Sequence, residues 1–413
     1  MKMSFSENSN TIGLLFAGDM SFDPSVRQCN YIGAWRAKEE REEVRPKRVV
    51  PSGDLSRWTK TRVRIGRKLS RIWDAVKLHQ TVIPSFAELL VRTPANEKRM
   101  DLDGNSRAAV IFDLDNGFSE RPLAYPFEKI APFLRQKDFV LGNLETPLSD
   151  HKRAYGLFIS DPGYAEFMAN AGISMVNLAN NHIFDAGEIG FFQTIEHLAK
   201  AGVLYTGAGK DLENARAGAF VRVRDMKIVF LGYTQFCNNR FSSVADRYPG
   251  ILPMDRQLIL EDIHNAMEKA DLVFVNLHWG IENDPNVHPK QVEIAHFLID
   301  NGADGIIGHH PHVPQGIEIY KKRPVFYSLG NFIFGQGDFR WNTDNYLGEI
   351  VIEGKMMRKI LLYPISGQGR ELFQPELLKG IRANSLFSEL KTRSAVFGTE
   401  IVIQNHVGCI HIR

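Results

Sequence analysis

The sequence predicts an α/β fold, and three observations carry that reading. Apolar runs of strand length alternate with longer runs whose apolar residues recur at helical spacing. Several of the strand runs are continuously apolar, as buried strands are. Polar and ionisable side chains then gather just past their C-terminal ends, the edge of an α/β sheet where ligands bind.

Residues 11–17 read as a buried strand that ends in Gly18-Asp19. A glycine there allows a tight turn, and the aspartate is placed either to hold a metal or to cap a helix. The rhythm resumes with a helix predicted over Pro126–Gln136 and a strand at 139–142, which runs into Asn143-Leu-Glu145. A short strand inside 172–178 leads into the turn Asn177–Gly187, and a helix is predicted from Glu188 to Gly202, carrying Ile189, Phe192, Ile195 and Leu198. The turn crowds Asn180, Asn181, His182 and Asp185 into six positions. Asn and Asp suit turns and helix caps, so the turn alone leaves both structural and chemical readings open.

Residues 219–223 and 227–233 read as a hairpin, 258–269 as an amphipathic helix, and 271–277 as an apolar strand ending in His278-Trp-Gly280. A helix over 291–301 precedes the strand 305–307, which runs into Gly308-His-His-Pro-His312. The strand 323–329 ends in Gly330-Asn331. Paired strands over 347–355 and 357–366 and a helical tail from Gln374 to about Phe397 complete the order.

At 413 residues the chain accommodates one large domain with an insertion, or two domains. The organisation expected is a domain over 11–366, interrupted at about 30–120, with the tail 367–413 packing on it. A net charge of +2 points to no polyanion as a whole-chain partner. Its distribution is uneven, since Arg36–Arg99 holds 17 Lys/Arg against 8 Asp/Glu, an excess of 9 (17 − 8). Arg62, Arg64, Arg67, Lys68 and Arg71 lie among helix-compatible Val63, Ile65, Leu69, Ile72 and Trp73, and residues 79–90 read as another ordered piece. This segment reads as a solvated face or as a docking surface for an anionic substrate or polymer. Nucleic acid is disfavoured, because aromatics there are sparse (Trp58, Trp73, Phe86) and no nucleic-acid motif accompanies them.

The three cysteines, Cys29, Cys237 and Cys409, are widely spaced, which argues against a disulfide framework and a thiolate zinc site. No run is apolar enough for a signal peptide or a membrane span. The expected location is cytoplasmic, with peripheral association at the envelope allowed.

Asp19, Glu145, Asn181 with His182, His278, the group His309, His310 and His312, and Asn331 thus sit at six strand ends that converge on one sheet edge. Carboxylates, imidazoles and an amide oxygen, without thiolates, suit a hydrolytic Mn, Fe or Zn site of one or two ions. His182 with Asp185 three positions on forms a candidate proton donor and its orienting carboxylate.

Gly18-Asp19, Asn143-Leu-Glu145, Leu178-Ala-Asn-Asn-His182-x-x-Asp185-x-Gly187, His278-Trp-Gly280, Gly302-Ala-Asp-x-x-Ile-Gly-His-His-Pro-His312 and Phe326-Tyr-Ser-Leu-Gly-Asn-Phe332 resemble the CapA family of poly-γ-glutamate capsule biosynthesis proteins. The resemblance covers 11–22 and 126–366 in matching order but not the basic insertion. It implies a metallophosphoesterase-like four-layer αββα sandwich. It also implies metal ligands at Asp19, Glu145 (bridging), Asn181, His278, His310 and His312, with His182 as the acid. Two candidates, His309 and His310, compete for the first position of the last motif. Asn180, His309 and Asn331 are nominated for substrate contact. Ser21 stands where the family pattern places a histidine, and Glu145 where it places an aspartate, which leaves one metal position short of a ligand.

The function expected is a metal-dependent hydrolase acting on a phosphoester or an amide-linked anionic polymer such as poly-γ-glutamate, alongside capsule-synthesis proteins. The alternative is a non-catalytic capsule-assembly component that binds an anionic polymer or partner through a degenerate pocket.

Overall fold

The computed structural model describes residues 11–23, 25–29, 98–100, 109–115, 121–151, 158–236, 243–245, 247–335 and 343–413. By internal contacts the chain forms two compact units, one of Met1–Arg27 with Leu114–Arg413, the other Gln28–Asp113. The basic helix expected around Arg62–Trp73 and the piece at 79–90 lie outside the described residues. In the sequence on either side of them, Ser25–Cys29, Ala109–Asp115 and Lys98–Met100 form a three-stranded sheet in that order.

The strand Thr11–Ser21 organises the larger unit. It pairs parallel with Phe139–Leu144, antiparallel with Asn345–Glu353, and through Asp19–Ser21 parallel with Asn331–Phe334. Met175–Asn177 and Leu204–Thr206 extend this nine-stranded sheet on one side, and Met356–Ile365, Val407–His411 and Val402–Gln404 on the other. A second sheet has the order Ile317–Tyr320, Arg323–Phe326, Gly305–His309, Leu272–His278, Met226–Thr234, Ala219–Val223.

Three apolar clusters set the layers. Leu14, Phe16, Phe139 and Leu141 of the first sheet meet Ile228, Phe230, Phe274 and Phe326 of the second. Phe139 stacks on Phe230 at 5.2 Å between ring centroids, with Phe274 5.5 Å further along. The outer face of the first sheet is covered by the helices Tyr164–Ala171 and Gly187–Ala201, through Met168, Phe191 and Leu198. The outer face of the second is covered by Arg256–Met267 and Pro289–Asp300, through Ile259, Ile263, Ala295 and Leu298. The result is a four-layer αββα sandwich, as the resemblance implies. The central strands Thr11–Ser21, Phe139–Leu144, Leu272–His278 and Gly305–His309 are buried on both faces, which explains the continuously apolar runs.

Three elements differ from expectation. The helix predicted over Pro126–Gln136 is a 3₁₀ turn, Tyr125–Phe127, and one helical turn, Ala131–Leu134. Pro126 and Pro132 lack the N–H that a continuous helix needs. The strand from Arg323 ends at Phe326, short of Leu329. The tail helix is Gly380–Ala395, and after it the chain returns as the strands Val402–Gln404 and Val407–His411. Leu386, Phe387 and Leu390 of that helix join the core between the sheets.

Candidate metal centre

Strands of both sheets end at one place. Asp19, Glu145 and the turn after Asn177 come from the first sheet, and His278 and His309 from the second, where these two are register partners. Asp19, Glu145, His278 and His309 are wholly buried, His312 nearly so, and His182 only 9% exposed.

His278 is the hub. Its Nε2 lies 2.7 Å from Asn181 Oδ1, 3.1 Å from Glu145 Oε1 and 3.1 Å from His310 Nδ1. Its Nδ1 lies 3.3 Å from the Asn143 amide nitrogen, which places the ring hydrogen on Nε2. Three acceptors therefore surround one hydrogen, which can align on only one of them. Both oxygens of buried Glu145 have no hydrogen-bond partner despite the 3.1 Å approach, because the angle is wrong. Burying such groups unpaired is costly.

A divalent cation resolves this conflict. Two ligands in adjacent positions around an ion with bonds of about 2.1 Å lie about 3.0 Å apart, close to the spacings seen. Of the seven buried polar atoms without a partner among the described residues, six belong to Ser21, Glu145, His309 and Asn331 at this edge. Glu145, His310 and His312 also bring one ligand atom each within 4.8 Å of one another. The donor set fits a metal.

Electrostatics point the same way. Burial pushes the His278 imidazole down to about 3, against the pull of the Asp19 carboxylate. Burial, then His278 and His312, hold His310 far below the ordinary histidine range, and burial lowers His309. Neutral imidazoles offer lone pairs. Burial would raise Asp19, but His309 and His312 beside it hold the carboxyl well below its usual range. Burial raises Glu145 well above its usual range; His312 opposes this and Asp19 adds to it.

A second group of donors adjoins the first. His312 Nδ1 pairs with Asn331 Oδ1 at 2.8 Å and lies 3.5 Å from Asp19 Oδ2, while its Nε2 lies 3.7 Å from Glu145 Oε2. Glu145 thus has one oxygen toward each group. His310 and His312 both take positive φ, 96° and 59°, a conformation disfavoured by about 1–3 kcal/mol for each non-glycine residue. The loop is held in this shape partly by the His310 N–H donating to Asp19 Oδ2 at 3.1 Å.

His182 Nδ1 pairs with Asp185 Oδ2 at 2.8 Å, and Asp185 Oδ2 also accepts the Phe158 N–H at 2.9 Å. Burial lowers the His182 imidazole, yet Asp185 outweighs it and the net shift is upward. Phe158 packs on the ring at 4.3 Å.

The residues nominated for substrate contact are turned inward. Asn180 is wholly buried; its oxygen accepts the N–H groups of His182 and Ile183, and its nitrogen donates to Leu144 O. Those bonds use it to shape the turn. Asn331 braces His312. His309 lies 3.5 Å from Asp19 Oδ1, long for a hydrogen bond, and it is His310 whose ring nitrogen reaches the His278 group.

Sequence reasoning passes over two residues. Asn143 donates to Asp19 Oδ1 at 2.7 Å and accepts from Asn177 at 2.8 Å. Glu282 brings Oε1 to 3.9 Å from His312 Nε2. Asn143 lies inside a quoted motif, and Glu282 follows His278 by four residues; position near a strand end was the available signal.

The chain is 36% identical over 224 residues to the capsule biosynthesis protein CapA of Bacillus anthracis, covering 52% of this chain and 54% of that one. It is 34% identical over 217 residues to the PGA biosynthesis protein CapA of Bacillus subtilis, covering 51% and 57%. The chain thus spans about half the length of these curated relatives. Among solved structures, a calcineurin-like phosphoesterase, YfkN from Bacillus subtilis, aligns with a TM-score of 0.32 at 12% identity over 65% of this chain and 82% of that one. A putative 5'-nucleotidase from Staphylococcus aureus aligns with a TM-score of 0.34 at 16% identity, over 62% and 48%. The profile of the bacterial capsule synthesis protein PGA_cap matches residues 89–336, more than half of the chain, and the chain belongs to that family.

Proposed function

We propose that this chain is a metal-dependent hydrolase acting on a phosphoester or on an amide-linked anionic polymer such as poly-γ-glutamate, in capsule or envelope polymer synthesis. The observation that carries the reading is the meeting of Asn181, Glu145, His278 and His310 around one point with Glu145 otherwise unpartnered. The relatives' names, one of them a probable polyglutamine synthesis accessory protein of Mycobacterium tuberculosis, support the setting.

Asn181, Glu145, His278 and His310 would hold one ion, with Asp19, Glu145 and His312 toward a second. A divalent cation there supplies Lewis-acid polarisation of a phosphoryl or carbonyl oxygen and a nucleophile at neutral pH. The chain's own residues do the rest. Asp185 holds the hydrogen on His182 Nδ1 and favours the charged ring, so His182 carries at Nε2 the proton a leaving group needs. Asn331 fixes the His312 ring so that Nε2 faces the carboxylates. Phe158 against His182 excludes water from one side of that ring.

The test is purified protein with Mn, Zn, Fe or no metal, assayed on aryl phosphates and on poly-γ-glutamate. Metal retention and turnover are expected, both lost in Asn181→Ala and His312→Ala. A protein that retains no metal and turns over neither substrate sinks the proposal. Polymer binding that survives alanine at those positions would instead indicate a non-catalytic binder.

A further inference from the structure

Glu282 has no role in the account so far, yet its carboxylate faces the least complete part of the centre. The second group offers Asp19, Glu145 and His312. Ser21 lies two residues beyond Asp19 on the same strand, so both side chains face the same way. Its buried hydroxyl has no partner, and serine offers no imidazole.

We propose that Glu282 is a ligand of this second cation position and supplies the side-chain donor that Ser21 lacks; the inference rests on the metal-hydrolase reading above. His312 Nε2 is the reference atom, since Nδ1 is engaged by Asn331 Oδ1. Glu145 Oε2 lies 3.7 Å from that Nε2 and Glu282 Oε1 3.9 Å. Two atoms bound to one cation at about 2.1 Å are separated by about 3.0 Å when adjacent and about 4.2 Å when opposite. Both distances fall within that span. Glu145 Oε2 is wholly buried and has no hydrogen-bond partner, and a cation there would satisfy it.

The backbone holds Glu282 in reach. The next residue, Asn283, takes a left-handed φ of 62° and donates its N–H to Pro311 O at 2.9 Å. This ties the loop after His278 to the loop of His310 and His312. The side chain itself is 54% exposed, so Glu282 closes the centre from the solvent side while Asp19 and Glu145 close it from within. Two carboxylates meet at His312 Nε2, with Asp19 3.5 Å from the other nitrogen of the ring, which makes this position richer in oxygen than the Asn181–His278–His310 position. It will therefore favour Mn²⁺ over Zn²⁺ more than its neighbour does.

The experiment is a Mn²⁺ titration of the metal-free full chain, with bound metal counted after gel filtration and Mn–Mn coupling read by electron paramagnetic resonance. Wild type is expected to bind two equivalents with coupled spins. Glu282→Ala should bind one equivalent with an uncoupled signal, and Glu282→Asp two with the weaker step loosened about tenfold. Glu293→Ala, an exposed acid on the helix Pro289–Asp300, should behave as wild type. Two equivalents in Glu282→Ala overturn the inference, as does a single wild-type equivalent indifferent to Glu282, and both leave the metal reading standing. No metal in wild type overturns the metal reading itself.

Discussion

His310 Nδ1 lies 3.1 Å from His278 Nε2 inside the protein, two imidazole nitrogens, one from a loop and one from a strand end, facing each other with room for one hydrogen between them. Burial keeps both rings neutral, so the proton on His278 Nε2 occupies the place of a cation. A metal at that nitrogen shifts the ring hydrogen to Nδ1 and leaves the imidazole neutral, so the proton released is the one that the Glu145 carboxyl keeps in the metal-free protein. We expect Mn²⁺ or Zn²⁺ binding to the metal-free protein at neutral pH, measured by calorimetry in buffers of different ionisation enthalpy, to release about one proton per protein. His278→Ala should remove both the binding and the release. Asn331→Ala, which leaves every ligand in place, should weaken metal binding by about 10- to 100-fold. Proton-neutral binding in wild type would refute this account of the site.

Glu145 supplies a stability prediction. Its buried carboxyl titrates well above the ordinary value of 4.5. The metal-free folded state therefore keeps a proton that the unfolded chain has shed, and the folded state loses ground as pH rises through that window. Asp19 behaves oppositely, since its lowered value means a stabilisation lost only in strong acid. His278, His309 and His310, neutral in the folded protein but charged in the unfolded chain at lower pH, push the other way below about pH 7, so the thermal midpoint of metal-free protein should fall only between about pH 7 and about pH 8. Saturating Mn²⁺ should flatten the curve, and so should Glu145→Gln without metal. A midpoint that rises over that interval in the metal-free protein would contradict the prediction.

Much of the sandwich was legible because its central strands are buried on both faces. Runs such as Leu272–Leu277 have no polar alternation, and the residues after them, His278 among them, stand out against that background. The tail was less legible. Val402–Gln404 and Val407–His411 are joined through Asn405 and His406, both left-handed at φ 50° and 63°. That two-residue turn would announce itself as Asn-Gly, and His406 conceals it. The centre divided along a similar line. Ligand-type residues showed themselves by chemistry, but which of His309 and His310 reaches His278 depends on φ of 96° at His310, a conformation that no local pattern foretells. Asn180 and Asn331 stood out as polar residues past strand ends, whereas their inward-facing contacts are with Leu144 and His312, at other places in the chain.

The pairing of His182 with Asp185 predicts a change in pH profile. Asp185 is the main influence raising the His182 imidazole against its burial. In Asp185→Asn that support is gone, and the ring loses its proton at lower pH. For the proposed hydrolysis, kcat should drop by about 10²- to 10⁴-fold, with the alkaline limb of the profile moved toward acid and KM little changed. Metal content should stay at the wild-type level. An unshifted profile, or a loss confined to KM, would remove His182 from the proton-donor role.

Gly18 predicts how tightly the centre depends on backbone fit. The Asp19 N–H donates to Gly330 O at 3.0 Å, drawing the end of the first strand against the turn before Asn331. A Cβ at residue 18 would lie 1.9 Å from Gly330 O and 2.8 Å from the carbonyl carbon. Gly330 cannot retreat easily, because it is left-handed at φ 74° and sits over the Asn345 side chain, whose oxygen accepts the Asn331 N–H at 3.2 Å. Gly18→Ala must therefore push Gly330 and Asn331 together, and Asn331 holds His312. The expected result is a loss of about 3 kcal/mol in stability, accompanied by weaker metal binding. Gly354→Ala makes the comparison, being left-handed at φ 63° with open space around it. It should lower stability by only about 1 kcal/mol and leave the metal untouched. Equal effects from the two substitutions on metal affinity would show that the Gly18–Gly330 contact does not position the centre.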